Sequence, residues 1–284
     1  MTDFSTPVGG IGPANPPADD DGAELAFMSM PAEMTTYSMP DVAESIGSLQ
    51  QANEVLRQLQ GLLGTYKVGG PIGVINLSVL DADNRTLIDQ IMGEGEVSIL
   101  FSAAQQIRIQ EAVLAGVWRV QYLGAHAEIV KDTLEVADIP AVIRAASFVG
   151  DSIQQRLEKT VHPEDVNNAI PLLSELNDKI VDSDQASEAH IINLTLLPQN
   201  DADLDFLSQT LGKGVVTILS RGYGNCRVTS TATHNVWWVQ YFNSQDAIIL
   251  NTLEVTPVPG VACAASEDIA DSAQRLQEIR EVYA

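Results

Sequence analysis

The chain is written twice. Val74-Ile75-Asn76-Leu77 reads again as Ile191-Ile192-Asn193-Leu194, and Gly93-Glu94-Gly95-Glu96-Val97-Ser98-Ile99 returns as Gly212-Lys213-Gly214-Val215-Val216-Thr217-Ile218. Val117-Trp118-Arg119-Val120-Gln121-Tyr122 is echoed by Val236-Trp237-Trp238-Val239-Gln240-Tyr241, and Thr133-Leu134-Glu135-Val136 by Thr252-Leu253-Glu254-Val255. One interval separates Gly93 from Gly212, Trp118 from Trp237 and Thr133 from Thr252. A constant interval over separated motifs marks duplication of a structural unit. Whatever one copy folds into, the chain folds into twice, and positions on which the copies agree are those the fold requires.

In both copies the apolar residues change period in the same order. A helical stripe comes first, Val42, Ile46, Leu49, Leu56, Leu59 and Leu63 closed by Gly64, and then Ile170, Leu173, Leu176 and Ile180 with Pro171 in the first turn. The Ile-Asn-Leu strand follows, then a helix with Asp81 or Asn200 as N-cap and Leu87, Ile88 and Met92, or Phe206, Leu207 and Leu211, on its buried side. Gly93 and Gly212 stand where that helix needs a left-handed residue to stop. Beyond them the period becomes two, as in half-buried antiparallel strands: Ile107 and Ile109, then Trp118, Val120 and Tyr122, or Trp237, Val239 and Tyr241. A further strand carries Leu134 and Val136, or Leu253 and Val255, and each copy closes with Pro140 or Pro259, a short apolar stretch open to helix or extended chain, and a helix bearing Gln155-Arg156-Leu157 or Gln274-Arg275-Leu276.

The expected class is therefore α+β, two tandem copies of one unit, each a mostly antiparallel sheet with helices on one face. A flexible acidic tail rich in Met and Pro is expected over residues 1–41, the first repeat over 42–160 and the second over 161–284.

Fifteen Lys and Arg stand against 38 Asp and Glu, a net charge of −23. Nothing here neutralises phosphates, which argues against nucleic acid and anionic membranes as partners, while a basic polypeptide would be steered inward. No apolar run reaches a membrane span and no basic n-region opens the chain, so a soluble cytoplasmic protein is expected. Two cysteines, Cys226 and Cys263, do not form a Cys-x-x-Cys pair and suit a reducing compartment.

The search for chemistry returns little. Four histidines lie far apart without ligand spacing, and neither a nucleophile elbow nor a phosphate loop is present, so no catalytic residue, metal or cofactor is assigned. An enzyme with a pocket between the copies remains an alternative class. Binding is the better reading. Met28, Met30, Met34 and Met39 form an adaptable apolar segment, for docking or for packing on the chain's own body. Arg119 of the first copy becomes Trp238 in the second, an indole opposite Trp237 that is either an interface anchor or packing between the copies. The loop holding Arg221, Tyr223, Asn225 and Cys226 lacks a twin, and Arg227 beside Cys226 could favour a thiolate. With Glu94 and Glu96 these make the candidate partner-binding set.

Taken together, Gly93–Ile99, Arg221-Gly222-Tyr223-Gly224-Asn225-Cys226-Arg227, Val236–Ser244 and Asp268–Leu276 resemble the HupH/HoxQ/HyaF family of hydrogenase expression and formation proteins. The similarity runs from about residue 70 to the end, and the Met-Pro segment resembles the family's N-terminal region. One departure is Ser266-Glu267-Asp268 where the family carries Pro-Glu-Asp, a change that touches helix capping. The resemblance implies a chaperone for the iron-sulfur small subunit of [NiFe] hydrogenases before twin-arginine export, with a thioredoxin-like accessory protein as co-worker. The alternative it leaves open is a thiol- or metal-handling factor that protects or delivers clusters through Cys226 and Cys263.

Overall fold

A computed structural model describes residues 49–145, 153–159, 164–181, 183, 188–222 and 224–283. The expected tail over 1–41, and Val42 and Ile46 of the first stripe, lie outside them. The first copy runs α1 (Gln50–Thr65), β1 (Gly73–Asn76), α2 (Ala82–Met92), β2 (Val97–Ser102), β3 (Gln106–Glu111), β4 (Val117–Leu123), β5 (Ile129–Val136), a single turn α3 (Ala141–Arg144) and α4 (Ile153–Lys159). The second runs α5 (Ala169–Ile180), β6 (His190–Asn193), a 3₁₀ turn over Leu194–Leu196, α6 (Asp201–Leu211), β7 (Lys213–Ser220), β8 (Asn225–Thr231), β9 (Val236–Phe242), β10 (Ile248–Val255), a 3₁₀ turn over Gly260–Ala262 and α7 (Ser266–Tyr283).

Local chemistry explains most boundaries. Asp81 accepts a hydrogen bond from the Asn84 amide, and Asn200 forms a reciprocal capping box with Asp203. Gly93 and Gly212 end α2 and α6 at φ 52° and 69°, where a side chain would be strained. The second glycine of each pair is required for space, because a β-carbon at Gly95 or Gly214 would run into the backbone of Ala112 or Thr231. Two expectations shift. Gly64 does not close α1, which continues to Thr65 and stops because Tyr66 turns extended. In α5 the inward residues are Ala169, Leu172, Leu173 and Leu176, and Ile170 in the first turn faces outward.

Both copies share one ten-stranded antiparallel sheet in the order β1-β5-β4-β3-β2-β7-β8-β9-β10-β6. Each contributes five strands, and the halves join where β2 pairs with β7, with Val97 opposite Ser220, Ile99 opposite Ile218 and Phe101 opposite Val216. The expected helices on one face are present. On that face Ile75, Val117, Leu134 and Val136 pack under α1, α2 and α7, while Ile192, Val236, Leu253 and Val255 pack under α4, α5 and α6. The other face carries one core across both copies, in which Ile99, Ile109, Trp118 and Val120 meet Ile218, Val228, Trp237 and Val239. Period-two alternation sends these residues to one side and their neighbours to the other.

Short segments cover this second face. Trp118 and Trp237 donate their indole N–H groups to the carbonyls of Ala137 and Thr256, at 2.8 and 3.0 Å. Tyr66 and Arg144 both bond the Asp138 carboxylate, tying the chain after α1 to the turn around α3.

The closing helices change places. Leu276 and Ile279 of α7 sit in the core of the first copy with Leu56, Leu59 and Leu63 of α1, and Gln60 Nε2 donates to the Ala273 carbonyl at 2.9 Å. Ile153 of α4 sits in the core of the second copy with Leu173, Phe206 and Leu211. There the Arg156 guanidinium donates to the carbonyls of Thr210, Leu211 and Ala232 and to Thr233 Oγ1. The end of α6 leaves carbonyls without helical partners, and a cation from the other copy satisfies them.

Candidate partner-binding surface

The seam between β2 and β7 gathers most of the sequence candidates that the structure describes. Register places Glu96 next to Arg221, whose amide donates to the Glu96 carbonyl at 3.2 Å. The Glu96 carboxylate lies against Gly222, so close that a β-carbon there would displace it. Glu94 is exposed beside it, and Asn225 opens β8 opposite Phe242. Arg227 lies over the Phe242 ring at 5.5 Å. The Nε–H groups of Arg221 and Arg227 are both buried without an acceptor, so this corner presents two incompletely satisfied guanidiniums on a strongly acidic molecule. Tyr223 in this loop, and Met28, Met30, Met34 and Met39, lie outside the described residues.

Cys226 belongs to the seam by position, but its side chain points into the shared core and is 1% exposed. Its neighbour Arg227 does not polarise it, because consecutive strand residues face opposite sides of the sheet. Burial pushes the Cys226 thiol up to about 12, with a hydrogen bond to Tyr241 opposing and the charge of Glu254 adding to the rise. Cys263 is also pushed up to about 12 by burial, and both are free thiols. At neutral pH each is a protonated, unreactive group.

Trp238 sits apart from the seam. Its indole packs on the helical side against the second copy's own core, and its N–H donates to Asn251 Oδ1 at 2.5 Å. The twin in the first copy explains the exchange. Arg119 there ion-pairs with buried Asp132 at 2.8 Å and with Asp89 of α2. In the second copy Asp132 has become Asn251 and Asp89 has become Ser208, so a neutral indole replaces a cation whose anions are gone.

Two features were not read from the sequence. Glu111, the twin of Ser230, is 7% exposed and accepts from the Gly116 amide at 3.3 Å. Burial pushes its carboxyl up to about 7, against the Gly116 and Val97 amides and with help from the charges of Glu96 and Asp268. Secondly, aliphatic residues stay outside in both copies: Val74, Val79, Ile129 and Val130 are matched by Ile191, Leu196, Ile248 and Ile249, all at least 43% exposed. The first repeated motif held that signal, since Val74 and Ile191 stand in it, but only the sheet shows which of its residues face out.

Among the described residues no group of three or more His, Cys, Asp or Glu is placed to hold a metal ion, and no helix is long and apolar enough to cross a membrane.

Comparison with known proteins agrees with this architecture. The model of the HupH hydrogenase expression protein C-terminal conserved region matches twice, over residues 49–162 and 166–283. The hydrogenase expression/formation protein HupQ of Azotobacter chroococcum is 46% identical over 96% of this chain and 95% of its own. HoxQ of Cupriavidus necator is 43% identical over 98% of each chain, and the hydrogenase-1 operon protein HyaF of Escherichia coli is 32% identical over 95% of this chain and 94% of its own. A solved structure of HupH from Thiobacillus denitrificans is 31% identical, covers 40% of this chain and 95% of that one, and superposes with a TM-score of 0.38. A family model that fits once on each half of the duplicated sheet, together with relatives that match almost end to end, makes this chain a member of the HupH/HoxQ/HyaF family of hydrogenase expression and formation proteins.

Proposed function

We propose that the chain is a non-catalytic accessory protein of hydrogenase maturation, which binds the iron-sulfur small-subunit precursor in the cytoplasm before assembly and twin-arginine export. A thioredoxin-like hydrogenase accessory protein is its co-worker. The observation that carries this reading is near-full-length similarity to proteins named for hydrogenase expression and formation. The architecture supports a holding role. Both copies keep aliphatic residues on the surface at matching positions, where another polypeptide can reach them. The net charge of −23 favours a client segment with basic residues. The protonated thiols, Cys226 buried and Cys263 half-buried, lend nothing to a cluster- or thiol-handling alternative.

The test is retention of a defined client. The full chain, immobilised, is presented with purified small-subunit precursor and with the same subunit lacking its signal segment and already joined to its large subunit. Retention of the precursor alone is expected. If the precursor is not retained at micromolar concentration, or the joined subunit is held equally well, the proposal fails.

A further inference from the structure

The sheet ends on both sides in a strand of four residues, β1 and β6, each with one edge that pairs with no other strand among the described residues. Hydrogen-bond phase shows what those edges offer. The Thr256 amide bonds the Asn235 carbonyl at 2.8 Å, which fixes Glu254 and Thr252 as the β10 residues that exchange bonds with β9. Leu253 and Val255 therefore exchange bonds with Ile192 and His190 of β6. The backbone amides of Ile191 and Asn193 then point away from the sheet. The same reasoning applies to Val74 and Asn76, since the Leu77 amide bonds the Asp132 carbonyl at 2.9 Å.

Natural edges are usually blunted by charge, proline or a bulge. Here the residue at the middle of each edge is aliphatic and exposed, Val74 at 54% and Ile191 at 56%. Beside each, on the same face, lies a glutamate and then a tryptophan: Val74, Glu135 and Trp118 in one copy, Ile191, Glu254 and Trp237 in the other. The two glutamates differ. Glu135 accepts the Ala141 amide at 2.9 Å. Glu254 has a long contact from Thr252 Oγ1 at 3.5 Å and no ion pair among the described residues, and burial raises its pKa above the ordinary value. A strand laid on β6 would run two strand spacings, about 9.6 Å, from β10. An arginine side chain on the Ile191 face spans that gap to meet the Glu254 carboxylate.

We infer that the β6 edge is a strand-addition site for an extended partner segment in which an aliphatic residue, packed on Ile191, is followed two positions away by a basic residue that pairs with Glu254. Main-chain bonds to Ile191 and Asn193 supply the attachment, and the Ile191–Glu254 pair supplies the selection. Self-repulsion at a net charge of −23 disfavours a second copy of the chain as occupant. From the proposed function this takes only that the ligand is a polypeptide.

The capped heptapeptide Thr-Val-Thr-Arg-Thr-Val-Thr is titrated into ¹⁵N-labelled full chain and followed by NMR. Shifts are expected at Ile191, Ile192, Asn193 and Glu254. Ile191→Pro removes the outward N–H together with the isoleucine side chain and should weaken binding about tenfold or more, at least the worth of one good hydrogen bond, while Val74→Pro on the other edge leaves it within about twofold. Methylating every second peptide amide should abolish binding in one phase and spare it in the other, a control independent of any protein variant. Glu254→Gln should weaken the arginine peptide about threefold or more and leave its glutamine analogue unchanged. The inference is overturned by absence of shifts at millimolar peptide, by equal tolerance of both methylation phases, by full binding to Ile191→Pro, or by a chain dimer that Ile191→Pro dissolves. Retention of the small-subunit precursor by Ile191→Pro at the unmodified level would remove the edge site and leave the client standing. Peptide binding without precursor retention would do the reverse.

Discussion

Ile99 on β2 and Ile218 on β7 face each other across the seam and are also each other's duplicate, 1% and 0% exposed. The local twofold that relates the copies passes between them. Truncating either to alanine should cost about 3 kcal/mol, as for other buried isoleucines. Because both truncations open the same space, the double variant should lose less than the sum. Urea denaturation of the four proteins in the cycle checks this, and strict additivity would argue against a shared seam core.

Arg156 gives the first copy's α4 its hold on the second copy, with four acceptors around one guanidinium. Arg156→Met should destabilise the chain by about 2–3 kcal/mol, read as a fall in the urea midpoint. Arg156→Lys should recover little, because an ammonium cannot reproduce the fork.

Glu111 should make stability fall as pH rises. Its folded pKa of about 7 lies above the ordinary value of 4.5, so the folded state holds the proton more tightly and this contribution is full below about 4.5. It is lost between about 4.5 and 7 and stays lost above. Glu111→Gln, which keeps an acceptor for the Gly116 amide, should flatten that limb and be more stable than the unmodified chain at pH 8 by about 2 kcal/mol. A pH series of denaturation midpoints for the two proteins decides it.

Asp203 has the opposite sign. Its burial works to raise the pKa, but the amides of Asn168, Asn167, Ala169 and Asn200 outweigh that and hold the carboxyl below the ordinary 3.8. The stability it adds is present above that ordinary value and is lost as pH falls through the depressed folded one. Asp203→Ala should cost about 2 kcal/mol at pH 7, the worth of a lost helix cap. Asp203→Asn should remove part of the acid sensitivity, and urea midpoints at pH 3 and pH 7 for the three proteins read both effects. In the first copy the twin is already Asn84, which caps α1 by accepting from Ala52 at 2.9 Å without a charge.

Features set by neighbours in the chain were legible. Trp118, Trp237 and the alternation around them foretold buried strands, Asp81 and Asn200 foretold helix starts, and Gly93 and Gly212 the stops. Features set by distant contacts were not. Nothing near Arg156 signals that it serves the other copy, and nothing in Val97–Ser102 says that this strand will pair with Lys213–Ser220 and merge two sheets into one. The inward position of Trp238 left a faint trace: Arg119 and Asp132 change together into Trp238 and Asn251, as contacting residues do. The adjacency of Cys226 and Arg227 misled because a strand separates neighbours that a linear reading joins.

The traded positions of α4 and α7 mean that neither half is whole without the other. A chain cut between the repeats would carry, on each piece, the lid belonging to its sibling, so the severed pieces are built to find one another again and to regain a single body. A lone half, lacking a sibling, would offer its lid to another copy of itself, and the twofold relation now held within one polypeptide would return as an ordinary homodimer.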